Sequence, residues 1–262
     1  MTTRMTTTAP DGTRIGFWRS GSGPPLLLVH GTTADHTRWR PVLPLLEPHG
    51  TVYAVDRRGR GASGDAPGYA VEQEFADIAA VVDAIGGAVD VVGHSYGALC
   101  SLGAALRTAG MRRLVLYEPP VLPPPRSATD DRMAELLAHG RRAEVVETFF
   151  REIVGADDHQ LQLIRTAPSW PSRVEAAHTV VRERLIDPPY RFEPESYSGL
   201  GLPTLLIAGG DSPPFLQAST AAVAAAVPGA RVVTLEGEQH VAMDSAPERF
   251  AAVVLGFLRE GC

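Results

Sequence analysis

The stretch that decides the fold is Val89-Asp90-Val91-Val92-Gly93-His94-Ser95-Tyr96-Gly97. It opens as a short apolar run rich in β-branched residues, which reads as a buried strand. It closes on Gly93-His94-Ser95-Tyr96-Gly97, a G-x-S-x-G match, and Ala98 to Arg107 then reads as a helix. Strand, sharp turn and helix is the context that makes this motif a nucleophile elbow. The turn holds the serine in a strained conformation with its hydroxyl outward. The two glycines lack Cβ atoms, so strand and helix can approach closely. The new helix aims its N-terminal amides at the place where negative charge would develop.

Working outward from this stretch, the same alternation repeats. Buried strands are predicted at Leu26–Val29, Thr51–Val55, Arg113–Tyr117, Thr204–Ala208 and Arg231–Leu235, with a half-buried one at Arg14–Trp18. Helices are predicted over Val71–Ile85, Phe215–Val227 and Pro247–Arg259, with a short, proline-interrupted one over Arg38–Glu47. Strands that alternate with helices imply a mostly parallel sheet covered on both faces, an α/β fold. The rhythm breaks between Val121 and Leu202. That segment is charged, proline-punctuated and helix-rich, and too long for a loop. The expected organisation is a core domain of residues 1–120 and 203–262 with a helical cap of residues 121–202.

The composition bounds the function. With 262 residues and 44% hydrophobic content the chain can bury one sizeable core. A net charge of −6, without a basic run, argues against nucleic acid as a partner. The two cysteines, Cys100 and Cys262, do not suggest a disulfide framework, and no metal-ligand spacing is present. The threonine-rich N-terminus lacks the apolar core of a signal peptide, and no apolar run reaches membrane-spanning length. A cytoplasmic protein with no membrane partner is expected. Gly59-Arg60-Gly61-Ala62-Ser63-Gly64 matches G-x-G-x-x-G after a strand. A dinucleotide site would need a helix to open at once, but Asp65-Ala66-Pro67-Gly68 intervenes.

Four features together, His30-Gly31, Asp56-Arg57-Arg58-Gly59-Arg60-Gly61-Ala62-Ser63, the serine elbow and His240, make the chain similar to the α/β-hydrolase superfamily over essentially its whole length. The resemblance implies an eight-stranded, mostly parallel sheet with the cap inserted after strand six. It also implies that Ser95 is the nucleophile and that His240, alone among eight histidines in the loop after the last strand, is the base. The oxyanion hole would be the backbone amides of Tyr96 and Thr32.

Two places remain for the triad acid. The usual family position is the loop after strand seven, where Asp211 stands, although counting from Pro203 puts that position at Ser212. Some branches place the acid after strand six, where the chain reads Tyr117-Glu118-Pro119-Pro120. The reading favours Glu118. A serine nucleophile implies an acyl intermediate, hence a carboxylic ester, lactone or thioester as the small-molecule substrate, with an amide or a carbon–carbon bond next to a carbonyl behind these. The expected activity is a serine esterase or lactonase that uses no cofactor and no metal. The rivals are a cofactor-free perhydrolase and a slow-turnover ligand receptor on the same scaffold. Trp39, Tyr96, Val121, Leu122, Trp170 and Val241 are candidate pocket walls, with packing inside the cap the favoured role for Trp170.

Overall fold

The computed structural model describes residues 2–186 and 188–260. Cys262 lies outside the described residues, so the expectation about its pairing has no structural counterpart; Cys100 is a buried free thiol.

Eight strands form one sheet: β1 (Thr3–Thr8), β2 (Arg14–Gly21), β3 (Pro25–Val29), β4 (Thr51–Val55), β5 (Val89–His94), β6 (Met111–Tyr117), β7 (Thr204–Gly209) and β8 (Arg231–Leu235). Their order is β1-β2-β4-β3-β5-β6-β7-β8. The pairings of β1 with β2 and of β2 with β4 are antiparallel, and all the others are parallel. Strand β1 falls in the threonine-rich N-terminus, which carries no strand signal in the sequence. It is an exposed edge strand that alternates polar residues, and it acquires its conformation from pairing with β2.

The sheet separates two apolar layers by the two-residue period of its strands. On β3, Leu27 and Val29 face one layer while Leu26 and Leu28 face the other. The first layer is covered by α2 (Val71–Ile85) and α3 (Tyr96–Ala104), the second by α1 (Leu43–Leu46) and the closing helix α11 (Pro247–Arg259). Helix α3 begins directly after Ser95, two residues earlier than the sequence suggests, because the elbow itself serves as the N-terminal turn.

The segment between β6 and β7 is helical: α4 (Ala128–Ala138), α5 (Arg142–Thr148), a π-turn over Phe149–Val154, α6 (Asp158–Thr166), α7 (Trp170–Glu175) and α8 (Ala177–Arg184). These helices bury a small core of their own around Met133, Val145, Val146, Ala177 and Val180. The stretch that returns to the sheet behaves differently: Tyr190, Phe192 and Tyr197 pack against the main core. After β7 come α9 (Pro214–Ala226), then β8, then α10 (Ala242–Ser245).

The loops after β3, β5, β6, β7 and β8 gather at the carboxyl edge of the sheet. The order reverses around β3, which has β4 on one side and β5 on the other, and such a switch point opens a crevice for ligands.

Candidate active site

The β5–α3 turn places Ser95 at φ 55°, ψ −128°, a region that residues with a Cβ rarely enter. Its flanking glycines explain the spacing of the motif. A Cβ on Gly93 would lie 2.6 Å from the Cα of Ala98, and one on Gly97 would overlap the carbonyl oxygens of Val29 and His30. The strain is held by strand, helix and neighbouring loop together, and Ser95 N–H donates to the Tyr117 carbonyl at 2.8 Å.

Strand β6 is followed at once by a second strained residue: Glu118 has φ 48°. Its carboxylate is fully buried and satisfied at both oxygens. Oε1 accepts the Gly209 amide at 2.8 Å, and Oε2 lies 2.6 Å from Nδ1 of His240. That contact assigns the proton to Nδ1 and leaves Nε2 as the acceptor. Asp211 is exposed and makes no hydrogen bond or ion pair with His240 among the described residues; its amide binds the Glu238 carbonyl at 2.9 Å. The neighbouring Ser212, at the register position where the acid commonly stands, is buried with an unpaired hydroxyl. The geometry therefore joins His240 to Glu118 and leaves Asp211 in solvent.

Ser95, His240, Thr32 and Tyr96 line one cavity of about 770 Å³. Among the described residues no hydrogen bond joins the Ser95 hydroxyl to His240; such catalytic contacts often tighten only when a substrate is bound. The amides of Thr32 and Tyr96 have no backbone acceptor among the described residues, so both can serve a ligand.

Much of the supporting shell lies beyond what the motifs name. The Tyr117 hydroxyl donates to the Gln239 carbonyl and accepts the Ala242 amide at 3.2 Å, which fixes the loop on both sides of His240. The His94 ring lies 4.6 Å from the His240 ring, and its Nε2–H donates to the His240 carbonyl at 2.8 Å. Burial, then the neighbouring His240, hold the His94 imidazole well below the usual range and keep it neutral. His30 is likewise neutral. Burial and the charges of Arg57 and Arg60 push it down to about 3, and its Nε2 accepts the Arg57 amide.

Arg57 makes a two-pronged ion pair with Glu74, 2.7 Å at each prong, and its guanidinium lies 4.8 Å over the Tyr96 ring. Burial alone would raise the Glu74 carboxyl, but the Arg57 and Arg60 charges outweigh it and hold the group at about 2. Tyr69 bridges this pair to Tyr96, with 2.8 Å to Glu74 and 3.0 Å between the phenol oxygens. From the helical insertion, Glu183 of α8 accepts Arg57 and Arg60, and Arg173 of α7 donates to Thr33 Oγ1 at 2.7 Å, one residue beyond Thr32. Sequence signals for these partners were present only as buried-strand ends and arginine-rich loops.

Of the proposed pocket walls, Tyr96, Val121 and Leu122 line the cavity. Trp39 does not: it is buried in the core layer on the other side of the sheet, against Phe250. Trp170 packs within the insertion, and Val241 is exposed outside the cavity, because the chain turns into α10 directly after His240. The lining comes instead from Phe149 and Ile153 of the π-turn, Leu185 and Ile186 after α8, and Phe215 and Leu216 of α9. The Gly59–Gly64 loop closes on Asp56, whose carboxylate accepts the Ala62 amide at 2.9 Å, and the next helix begins only at Val71. Asp35, His36 and Asp56 could together approach a cation, but Asp35 caps the turn at Thr37, and Asp56 already binds Trp18, His36 and Ala62. No helix among the described residues is long and apolar enough to cross a membrane.

An elbow serine, a carboxylate-bound histidine after the last strand and two amides without a backbone acceptor among the described residues thus stand on one crevice. The alpha/beta hydrolase family profile matches residues 26–253, and the chain belongs to that family. An alpha/beta hydrolase from Sphaerobacter thermophilus DSM 20745 superposes with a TM-score of 0.83 at 39% identity, covering 97% of this chain and all of that one. N-formylmaleamate deformylase of Pseudomonas putida is 36% identical over 140 residues, 52% of each chain, so the match spans about half of that relative. The (E)-2-((N-methylformamido)methylene)succinate hydrolase of Acinetobacter baylyi is 23% identical over 239 residues, 89% of each chain.

Proposed function

We propose that the chain is a cofactor-independent serine hydrolase that cleaves a small or medium apolar carboxylic ester or lactone through an acyl-enzyme. The observation that carries this reading is the 2.6 Å contact of His240 with buried Glu118, with His240 on the wall of the cavity that Ser95 enters. Ser95 Oγ attacks the acyl carbonyl while His240 Nε2 takes its proton. Glu118 holds the ring orientation and offsets the imidazolium charge. The tetrahedral oxyanion receives the N–H groups of Tyr96 and Thr32. His240 then protonates the departing alkoxide, and water, deprotonated by the same nitrogen, releases the acid and restores Ser95. The helical insertion acts as a cap: its apolar residues face the cavity and set which acyl or alcohol group fits.

A second reading, hydrolysis of a formyl or other amide bond, is favoured by one observation. The two curated relatives above act, by name, on an N-formyl and an N-methylformamido compound. The two readings separate on a panel of 4-nitrophenyl esters of increasing chain length, a set of lactones and a set of formamides, read as kcat/KM. Ester or lactone turnover with a stoichiometric burst supports the first reading. Turnover of formamides alone supports the second. Neither turnover nor burst on any member refutes acyl transfer.

A further inference from the structure

Five residues that line the cavity are ionisable with a charge or a proton to place: Arg126, Glu183, Arg184, Arg191 and His240. Four of them have protein partners. Glu183 accepts Arg57 and Arg60, Arg184 pairs with Asp130, Arg126 with Asp131, and His240 with Glu118. Arg191 makes no hydrogen bond and no ion pair among the described residues.

This is unusual within the insertion. Ten arginines lie between residues 126 and 191, and the other nine donate to a carboxylate, carbonyl or hydroxyl. In a chain with a net charge of −6, partners for a cation are plentiful, so an uncommitted guanidinium on a cavity wall is available to a ligand. Its backbone is also fixed. Tyr190 packs edge-on against Phe75 at 6.0 Å, and Phe192 stacks on Tyr197 at 5.5 Å, so Arg191 projects from a segment pinned on both sides. The rest of the lining near it is apolar, with Ile186, Pro189, Tyr190 and Phe192.

We propose that Arg191 is a substrate-binding residue and that the substrate carries a carboxylate remote from the scissile acyl group, which the guanidinium receives as a forked pair. A planar fork of donors matches a carboxylate's two oxygens and leaves the apolar wall to the chain between. This inference rests on the ester and lactone reading above and amends its substrate from a wholly apolar one to one whose apolar chain ends in a carboxylate.

The test uses 4-nitrophenyl half-esters of adipic, suberic and sebacic acid against their methyl-capped diesters. A parallel pair carries the carboxylate on the alcohol side, with each rate divided by its hydroxide-catalysed rate. Wild type should prefer the free acid in one arm by about tenfold in kcat/KM, mostly through KM. The preference should shrink in 0.5 M salt, since the contact is exposed. In Arg191→Gln the ratio should collapse towards one, and Arg191→Lys should restore part of it. Wild type that turns over capped esters as well as acids in both arms, or an Arg191→Gln protein that keeps the preference, overturns the carboxylate inference alone. A wild type inert towards every ester overturns the ester and lactone reading and this inference with it. Because Arg191 makes no hydrogen bond and no ion pair among the described residues, the variants should melt with the wild type.

Discussion

Replacing Glu118 with glutamine removes one charge and almost no volume, so its effect can be worked from the hydrogen bonds. In the native protein one carboxylate oxygen accepts the Gly209 amide at 2.8 Å and the other accepts Nδ1–H of His240 at 2.6 Å. Both neighbours are donors, whereas a glutamine offers one oxygen and one NH₂. If its oxygen stays with Gly209, the NH₂ faces Nδ1–H and drives the imidazole to the tautomer with the proton on Nε2, the nitrogen that must accept from Ser95. If its oxygen turns to His240, the NH₂ meets the Gly209 amide and leaves a buried donor unpaired. The first outcome removes the base, and the second costs about 1–3 kcal/mol of stability. In either case the negative charge that offsets the imidazolium is lost, and kcat should fall by about a hundredfold to ten-thousandfold. Asp211→Asn changes an exposed carboxylate that makes no hydrogen bond or ion pair with His240 among the described residues and should stay within about tenfold of wild type. The assay is steady-state turnover of a 4-nitrophenyl ester by both variants, each first shown by thermal melt to be folded. An active Glu118→Gln beside an inactive Asp211→Asn would refute the reasoning and return the acid to the loop after β7.

Three further outcomes are expected. Tyr117→Phe deletes the hydroxyl that binds Gln239 and Ala242, so the His240 loop should loosen and kcat fall about tenfold, more than KM changes; an unaltered kcat would show that the loop is held elsewhere. Acid should destabilise the fold. The folded His30 titrates only at about 3 while the unfolded imidazole binds a proton below about 6.5, so stability is complete above that value and is lost as pH falls through the window. His94, also depressed, adds to this, and Asp77, raised by burial to about 6, opposes it, since its folded form takes up a proton first. From pH 7 to 5 the net loss should be about 2 kcal/mol, or roughly 5 °C in Tm, and a melt independent of pH over that range would contradict the assignment of two buried neutral histidines. Phe149→Ala and Ile153→Ala should widen the cavity and shift the preferred ester towards longer chains by about tenfold in the ratio of kcat/KM values; an equal fall on all substrates would make the insertion a structural element only.

The elbow was legible because local physics sets it: a β-branched run, two glycines that permit close approach, and a helix that starts at once. The buried strands were legible for the same reason, since Leu26–Val29 and Thr204–Ala208 have no polar face. Glu118 could be read as the partner of the histidine because it ends a strand and two prolines follow. Strand β1 was not legible, since its threonines take their conformation from β2 rather than from a pattern of their own. The cavity walls were the least legible part. Trp39 is large and apolar, as a pocket residue would be, yet it faces the opposite core layer, whereas Trp170 takes the packing role inside the insertion that the sequence favoured. Which layer a side chain joins is decided by tertiary packing between segments far apart in sequence. The support from Arg57, Glu74 and Tyr69 for Tyr96 is hidden for the same reason: its members stand on a loop, a helix and a turn that only the fold brings together.

The central claim, that Ser95 is the nucleophile of an acyl-transfer site, is tested most directly by a fluorophosphonate probe followed by peptide mapping. Wild type should take up one equivalent, located on Ser95, and Ser95→Ala, equally folded, should take up none. Label on another residue, or label that persists in Ser95→Ala, would contradict the account.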